Sequence, residues 1–368
     1  MKKYKIYIYA ICKNESSFIN RWMDSVKEAD GVVVVDTGSN DDSVALLRAR
    51  GAIVYEETFI PWRFDAARNS ALNHLPVDTD ICVSIDIDEV FEPGWREKLE
   101  HSWNDDTTLA KYWYVWETTA NGQPQKKFQR DKIHTRHGYQ WVHPVHEVLS
   151  YSGPRAEAIV FVNDLLLFHR PDPTKSRGQY LPLLELSSKE NPDDDRTKFW
   201  LGREYIYHHQ YDQAIQTLKA HLNMPSSTWN EERCASMRYI AKAYRLKSDY
   251  PSALTWLYRA VAECPDIREP WFDLTVLAYS QHNWPLVYFA AIKALDIKIC
   301  TESYLTEAMA WDFSLYDYAA VACYWLGFYQ EALIHSENAL KMSPNNSHLL
   351  NNIAIIKDKL SPPVKLST

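Results

Sequence analysis

Strand signals run through this chain to about residue 175 and then vanish. Before that point, "YKIYIYAIC" (4–12), "GVVVVDTGS" (31–39), "AIVYEE" (52–57) and "DICVSIDID" (80–88) read as strands, since each is a β-branched or aromatic run closed by polar residues. Between them, "SFINRWMDSVKEA" (17–29) spaces Phe18, Trp22 and Val26 as a helix does, and "DDSVALLRARG" and "FDAARNSALNHL" read as two more helices. Alternation of this kind predicts a parallel, doubly wound sheet whose ligand site lies at the carboxyl ends of its strands. The acids Asp36, Asp86 and Asp88 fall at such ends. Residues 109–170 read as β-rich, with a hairpin signal at Asn121-Gly122 and apolar runs that deliver His169. The opening "MKKYKIYIYAICKNE" carries Lys5 and three tyrosines, so it reads as a first strand rather than a secretory leader.

Beyond the strands an internal repeat emerges. Gly202, Tyr205, Ala214 and Leu218 fit the spacing of a tetratricopeptide repeat, and Ala241, Tyr244, Ala253, Leu257, Ala260 and Pro265 give the next copy. Looser copies follow at Trp271, Ala278, Ala291 and Ala294, and at Ala320, Ala332, Ala339 and Pro344. The expected division is a first domain over 1–178, a helical-repeat domain over 179–361 and a tail at 362–368, with acidic "ENPDDD" (190–195) as a solvated turn. Stacked repeats form a concave surface suited to extended peptides, with pure scaffolding or dimerisation as the other reading.

Composition narrows the classes. A chain of 368 residues, 46% hydrophobic, can build two cores, and a net charge of −8 excludes a general nucleic-acid binder. Cys12, Cys82, Cys234, Cys264, Cys300 and Cys323 stand far apart with no CxxC pair, the pattern of reduced, mostly buried thiols in a cytoplasmic protein. No run approaches a membrane span. Aromatic residues reach 13%, an excess that suits a sugar- or peptide-binding face as well as helix-repeat packing.

"VSIDIDEVFEPGW" (83–95) sets Asp86, Asp88 and Glu89 behind an apolar run. Burying an unpaired carboxylate costs several kcal/mol, so these acids should hold a metal, a phosphate through a metal, a helix N-terminus or water. In a D-x-D, one carboxylate can ligate a hard divalent cation while the other reaches it through water or meets a ribose. In "VVVVDTGSNDDS" (32–43), Asp36 can accept from a base or ribose, and Gly38 permits close backbone approach. His169 is either a hydrogen-bonded core residue or a third metal ligand, in which case it favours Mn²⁺ over Mg²⁺. "WVHPVHEVL" (141–149) clusters His143, His146 and Glu147; this is not HExxH, and a carboxylate beside a histidine is a candidate general base. Arg63, Arg68, Arg130 and Arg136 are candidate phosphate partners.

Taken together, "AICKNESSFINRWMDSV", "VVVVDTGSNDDSVALLRARGA", "FDAARNSALNHL" and "VSIDIDEVF" resemble, in order and spacing, the family-2 glycosyltransferases of the nucleotide-diphosphosugar transferase (GT-A, Rossmann-like) fold. With "VHE" at 145–147 and the helical half, the chain is similar to the subgroup that includes the sublancin-type peptide S-glycosyltransferases. The resemblance implies an α/β GT-A domain followed by an all-α tetratricopeptide-repeat domain. It also implies inverting, metal-dependent transfer from a nucleotide sugar, a UDP-hexose first, to a peptide or protein acceptor. On that footing Asn14, Glu15 and Asp36 flank the nucleobase and ribose, and Cys12, Gly38, Ser39 and Ile87 belong to the same nucleotide site. Arg68 lies near the diphosphate, Asp86 meets the ribose or metal, and Asp88 with His169 holds Mn²⁺ or Mg²⁺. Many relatives carry an acidic "ED" pair at the base; here His146-Glu147 stands instead, with Glu147 as the base. The alternatives are transfer to lipopolysaccharide or another glycan, or a non-catalytic repeat scaffold; a homodimer stays open. A nucleotidyltransferase lacks support, because there is no Gly-rich, basic loop near the N-terminus.

Overall fold

The computed structural model describes residues 4–119, 121–172, 178 and 180–361. The tail expected at 362–368 lies outside the described residues. The chain divides into two compact units, Met1–Glu190 and Asn191–Thr368.

The first unit runs β1 (Ile6–Cys12), α1 (Ser16–Val26), β2 (Gly31–Asp36), α2 (Ser43–Ala49), β3 (Ile53–Glu56), α3 (Phe64–Asn73) and β4 (Ile81–Ser84). There follow β5 (Glu89–Phe91), α4 (Trp95–Ser102), β6 (Leu109–Thr118), β7 (Pro124–Thr135), β8 (Tyr139–Val142), β9 (Val148–Tyr151), β10 (Ile159–His169) and α5 (Tyr180–Glu190). Helix α5, read from sequence as part of the repeats, belongs here: Tyr180 stacks on Phe64 and Glu190 pairs with Arg63 at 2.6 Å.

Side-chain alternation along β1 and β2 explains their continuous apolar character. Ile6, Ile8, Ala10 and Cys12 point into one core with Trp22 of α1, Leu47 of α2 and Trp95 of α4. Tyr9, Val33 and Val35 point the other way, onto Ala71 and Leu72 of α3 and onto Trp141. Both faces are covered, which a parallel sheet requires.

The sheet is parallel only in part. Its order is β3-β2-β1-β4-β7-β6-β10-β5, with β3 to β4 parallel; β7 is antiparallel to β4 and β6, and β5 is antiparallel to β10. The β6–β7 hairpin at Asn121-Gly122 forms as expected, Gly122 taking φ 78°. The fourth strand departs from expectation: it stops at Ser84, and a turn closed by Glu89 N–H on the Asp86 carbonyl (2.9 Å) carries the chain to the far edge of the sheet. The D-x-D therefore sits on a turn, not on a strand. β8 and β9 form a separate two-stranded sheet, whose Trp141 packs into the core beside α3.

The second unit is helical: α6 (Asp195–Tyr207), α7 (Tyr211–Leu222), α8 (Asn230–Leu246), α9 (Tyr250–Glu263), α10 (Arg268–Ser280), α11 (Trp284–Asp296), α12 (Ser314–Trp325), α13 (Tyr329–Met342) and α14 (Ser347–Leu360). Helices α6/α7, α8/α9, α10/α11 and α12/α13 pack as successive pairs. Asp194, inside the expected turn, caps α6 by accepting from Thr197 N–H, and Asp249 and Asn283 cap α9 and α11 in the same way. The small residues of the repeat spacing are buried: Ala214, Ala241, Ala253, Ala260, Ala291, Ala294, Ala320, Ala332 and Ala339. Trp200, Tyr205, Tyr244 and Trp271 are half-buried against these cores. All six cysteines are free, with only Cys300 partly exposed. No helix among the described residues is long and apolar enough to cross a membrane.

Gly202 shows why the spacing matters. A Cβ there would stand 2.5 Å from Cγ of buried Leu218, so the two helices meet only because the side chain is missing. Gly202→Val should destabilise the helical unit by about 1–3 kcal/mol, read as a lower urea midpoint of its unfolding transition.

Candidate active site

The loops after β1 and β2 are knitted into one surface. Asp36 ends β2, opposite Cys12 in register, and its carboxylate accepts from the N–H groups of Gly38 (3.0 Å) and Ser39 (2.9 Å) and from the Ser39 hydroxyl. Gly38 takes φ 102°, a conformation that L side chains avoid. Asn14 donates its N–H to Ser39 Oγ at 2.8 Å and accepts from Asn40 N–H at 2.9 Å, and Glu15 N–H bonds Ser43 Oγ at 2.8 Å. Asp41 accepts from the N–H groups of Ser16 and Ser43; burial would raise its pKa, but these donors outweigh it and bring it to about 2. The Cys12 thiol is pushed up to about 12, first by burial and then by Asp36 and Glu15, so it stays neutral. The side chains of Cys12 and Ile87 both lie in the core, which leaves only their backbone for a ligand.

Helix α3 delivers the central charge. In "AARN", Ala67 and Ala71 are buried, and Asn69 brackets the Trp141 backbone, donating to its carbonyl (2.8 Å) and accepting from its N–H (2.9 Å). Arg68, only 5% exposed, then reaches inward. Its guanidinium meets Asp86 Oδ1 at 2.8 Å and Glu147 Oε1 at 2.5 Å, and it stands 5.1 Å from the Trp141 ring. Burial opposes the charge on Arg68, but Asp86 and Glu147 more than offset this and raise its pKa. The other Asp86 oxygen meets Lys132 Nζ at 2.9 Å. Burial would raise the Asp86 pKa, yet Arg68 and Lys132 hold its carboxyl far below the usual range. Glu89 accepts from Asp86 N–H at 2.9 Å, and burial, reinforced by Asp86, pushes its pKa up.

Asp88 lies apart from this network. Its Oδ2 is 3.5 Å from His169 Nε2, its carbonyl accepts from Arg170 N–H at 2.7 Å, and His169 stacks on Trp116 with ring centres 4.4 Å apart. The separation lets one ion bond to both atoms at about 2.1 Å, and an imidazole with a carboxylate is a donor set that suits Mn²⁺. The expected third ligand, Asp86, does not join them, because both its oxygens face cations. Among the described residues, groups of three potential ligands converge only elsewhere, at Cys323, Glu331 and His335 and at Asp195, His221 and Glu232.

Other expectations also divide. His146, at φ 52°, stacks on Tyr180 with ring centres 5.7 Å apart, while Glu147 pairs with Arg68. His143 sits in the same turn at φ 76°. Arg63 pairs with Asp65 and Glu190, and Arg136 donates to the Asn73 and Leu75 carbonyls, so both are taken up by groups of the protein itself. Lys132 was not among the candidates. Its signal was present in "RDK" (130–132), where strand alternation sends Arg130 and Lys132 to one face and exposed Asp131 to the other.

Residues 7–151 match the family model described as Glycosyl transferase family 2. Uncharacterised glycosyltransferases of Rickettsia conorii and Rickettsia felis are each 36% identical over 110 residues, covering 29% of this chain and 38% of theirs. The chain thus matches well under half the length of these curated relatives. For the helical part, the crystal structure of MamA overlaps with TM-score 0.37 and 18% identity, covering 45% of this chain and 86% of that one. YrrB, described as a TPR protein with an unusual peptide-binding site, overlaps with TM-score 0.39 and 12% identity, covering 48% and 83%. The first unit is a family-2 glycosyltransferase domain of α/β GT-A type. The second is tetratricopeptide-like by its own helix pairing.

Beneath the site runs a buried hydrogen-bonded chain. Trp141 Nε1–H donates to Tyr9 Oη, Tyr9 donates to His134 Nε2 and His134 Nδ1–H donates to the Thr135 carbonyl, each at 2.8 Å. Burial lowers the His134 pKa to about 4, which keeps this imidazole neutral near pH 7. The unfolded chain, with a pKa near 6.5, binds the proton first as pH falls, so stability present above about pH 6.5 is lost towards pH 4. The loss should reach about 3 kcal/mol. Thermal unfolding from pH 7 to 4.5 should show that slope in the wild type and a shallower one in His134→Gln.

Proposed function

We propose that the chain is an inverting, metal-dependent glycosyltransferase that moves a sugar from a nucleotide-diphosphate sugar, a UDP-hexose first among donors, to a peptide or protein acceptor held partly by the helical repeats. The observation that carries this is the Asp88–His169 pair, 3.5 Å apart, whose Asp88 shares the β4–β5 turn with Asp86 of the Arg68–Asp86–Glu147 network, in a domain that matches family 2. Asp88 Oδ2 and His169 Nε2 would hold Mn²⁺ or Mg²⁺, which when bound neutralises charge on the departing diphosphate. Asn14, Glu15, Asp36, Gly38 and Ser39 receive the nucleoside, and Asp86, fixed between Arg68 and Lys132, meets the ribose. Glu147, oriented by Arg68, takes the proton of the acceptor hydroxyl or thiol as that atom bonds to the anomeric carbon. The carbon–oxygen bond to the diphosphate breaks on the opposite face, so configuration inverts without an enzyme nucleophile. The peptide acceptor is supported by the repeats, whose stacking builds a surface for extended chains.

Asp88→Ala should abolish Mn²⁺-dependent donor binding and turnover with the fold intact. Glu147→Gln should slow transfer about 10²–10⁴-fold while donor binding persists. Full activity of Asp88→Ala, or of the wild type in excess EDTA, would remove the metal-assisted reading. A chain ending after Glu190 should still hydrolyse donor slowly yet lose transfer to a polypeptide; undiminished polypeptide transfer by a soluble truncation would remove the idea that the repeats hold the acceptor.

A further inference from the structure

Arg68, Lys132 and Arg130 bring three cations to the acids of the site, and two of them are matched. Arg68 faces Asp86 and Glu147, and Lys132 faces Asp86 and, at 3.9 Å, Glu89. The third, Arg130, shares the β7 face with Lys132. Its guanidinium carbon stands 5.0 Å from the centre of the Tyr114 ring and 5.8 Å from that of Phe128. Its Nε is buried with no hydrogen-bond partner, and the guanidinium makes no ion pair among the described residues. Tyr114 is also the neighbour of His169, with ring centres 5.8 Å apart, so the unmatched cation and the Asp88–His169 pair flank one aromatic ring. The strands enforce this: β6 lies between β7 and β10, with Tyr114 opposite Phe128 on one side and Leu167 on the other.

A buried guanidinium N–H with no acceptor carries a desolvation cost that nothing in the protein offsets. A binding role gives such a residue its reason, and a planar fork of N–H donors is matched to phosphate oxygens. We propose that Arg130 binds the diphosphate of the donor, donating to its non-bridging oxygens as a second positive charge beside the Asp88–His169 pair. This rests on the nucleotide-sugar reading above. The guanidinium would hold charge that grows on the diphosphate as the sugar leaves, and its stacking on Tyr114 keeps it in place before the donor arrives.

The test is calorimetric binding of UDP and GDP, with uridine and guanosine as phosphate-free counterparts, to the full chain in Mn²⁺. In Arg130→Met, the affinity for the diphosphate that the wild type binds should fall about tenfold or more, affinity for its nucleoside should be unaffected, and Tm should change little because no ion pair or hydrogen bond within the protein is lost. Arg130→Lys keeps the charge without the fork and should fall between; it carries the test if the Met variant does not fold. Unchanged diphosphate affinity in both variants overturns the proposal and leaves the nucleotide-sugar reading standing. Equal losses for diphosphate and nucleoside overturn it too. A wild type that binds neither diphosphate overturns the donor reading and this proposal with it.

Discussion

A buried guanidinium ties the candidate site together. Arg68 is the point where α3, the turn after β4 and the segment before β9 meet, since its partners Asp86 and Glu147 come from the last two. Two carboxylates beside a desolvated arginine each lower the cost of burying the others, and removing any one leaves a charge uncompensated. The flanking residues of "AARN" serve the same end: Ala67 and Ala71 let the helix lie close to the sheet, and Asn69 pins the strand that carries Trp141 over the guanidinium.

This separates two aspartates that look equivalent in the sequence. Asp86 and Asp88 are two residues apart, yet one faces Arg68 and Lys132 and the other faces His169. Because β4 stops at Ser84, the pair lies on a turn that leads from the centre of the sheet to its far edge, and its members meet different strands. Asp86 is fixed by positive charge before any ligand arrives. Asp88 has an imidazole beside it and is the one suited to share an ion.

What was legible in the sequence follows physical range. The faces of β1 and β2, the helix carrying "AARN" and the buried alanines of the repeats come from periodicity and residue size, which act within a few residues. The strand order past β4 was not legible, since nothing local in "KKFQRDKIHT" says that it enters between β4 and β6. Partners distant in sequence stayed hidden for the same reason: Lys132 is identified as the clamp on Asp86 only when β7 is seen beside β4. His169 was reachable because it ends a strand, whereas the separation of His146 from Glu147 depended on a positive φ that no neighbouring residue signals.

The charge pattern has a direction. Glu89, buried beside Asp86, is shifted towards its neutral form, while Asp86 is held ionised by Arg68 and Lys132. Lys132 stands closer to Asp86, at 2.9 Å, than to Glu89, at 3.9 Å, and Arg130 forms an ion pair with neither. An unpaired guanidinium beside acids that already have their own cations is a place where an added anion gains more than a neutral group does, since each unit of negative charge meets a positive one no protein acid has taken up.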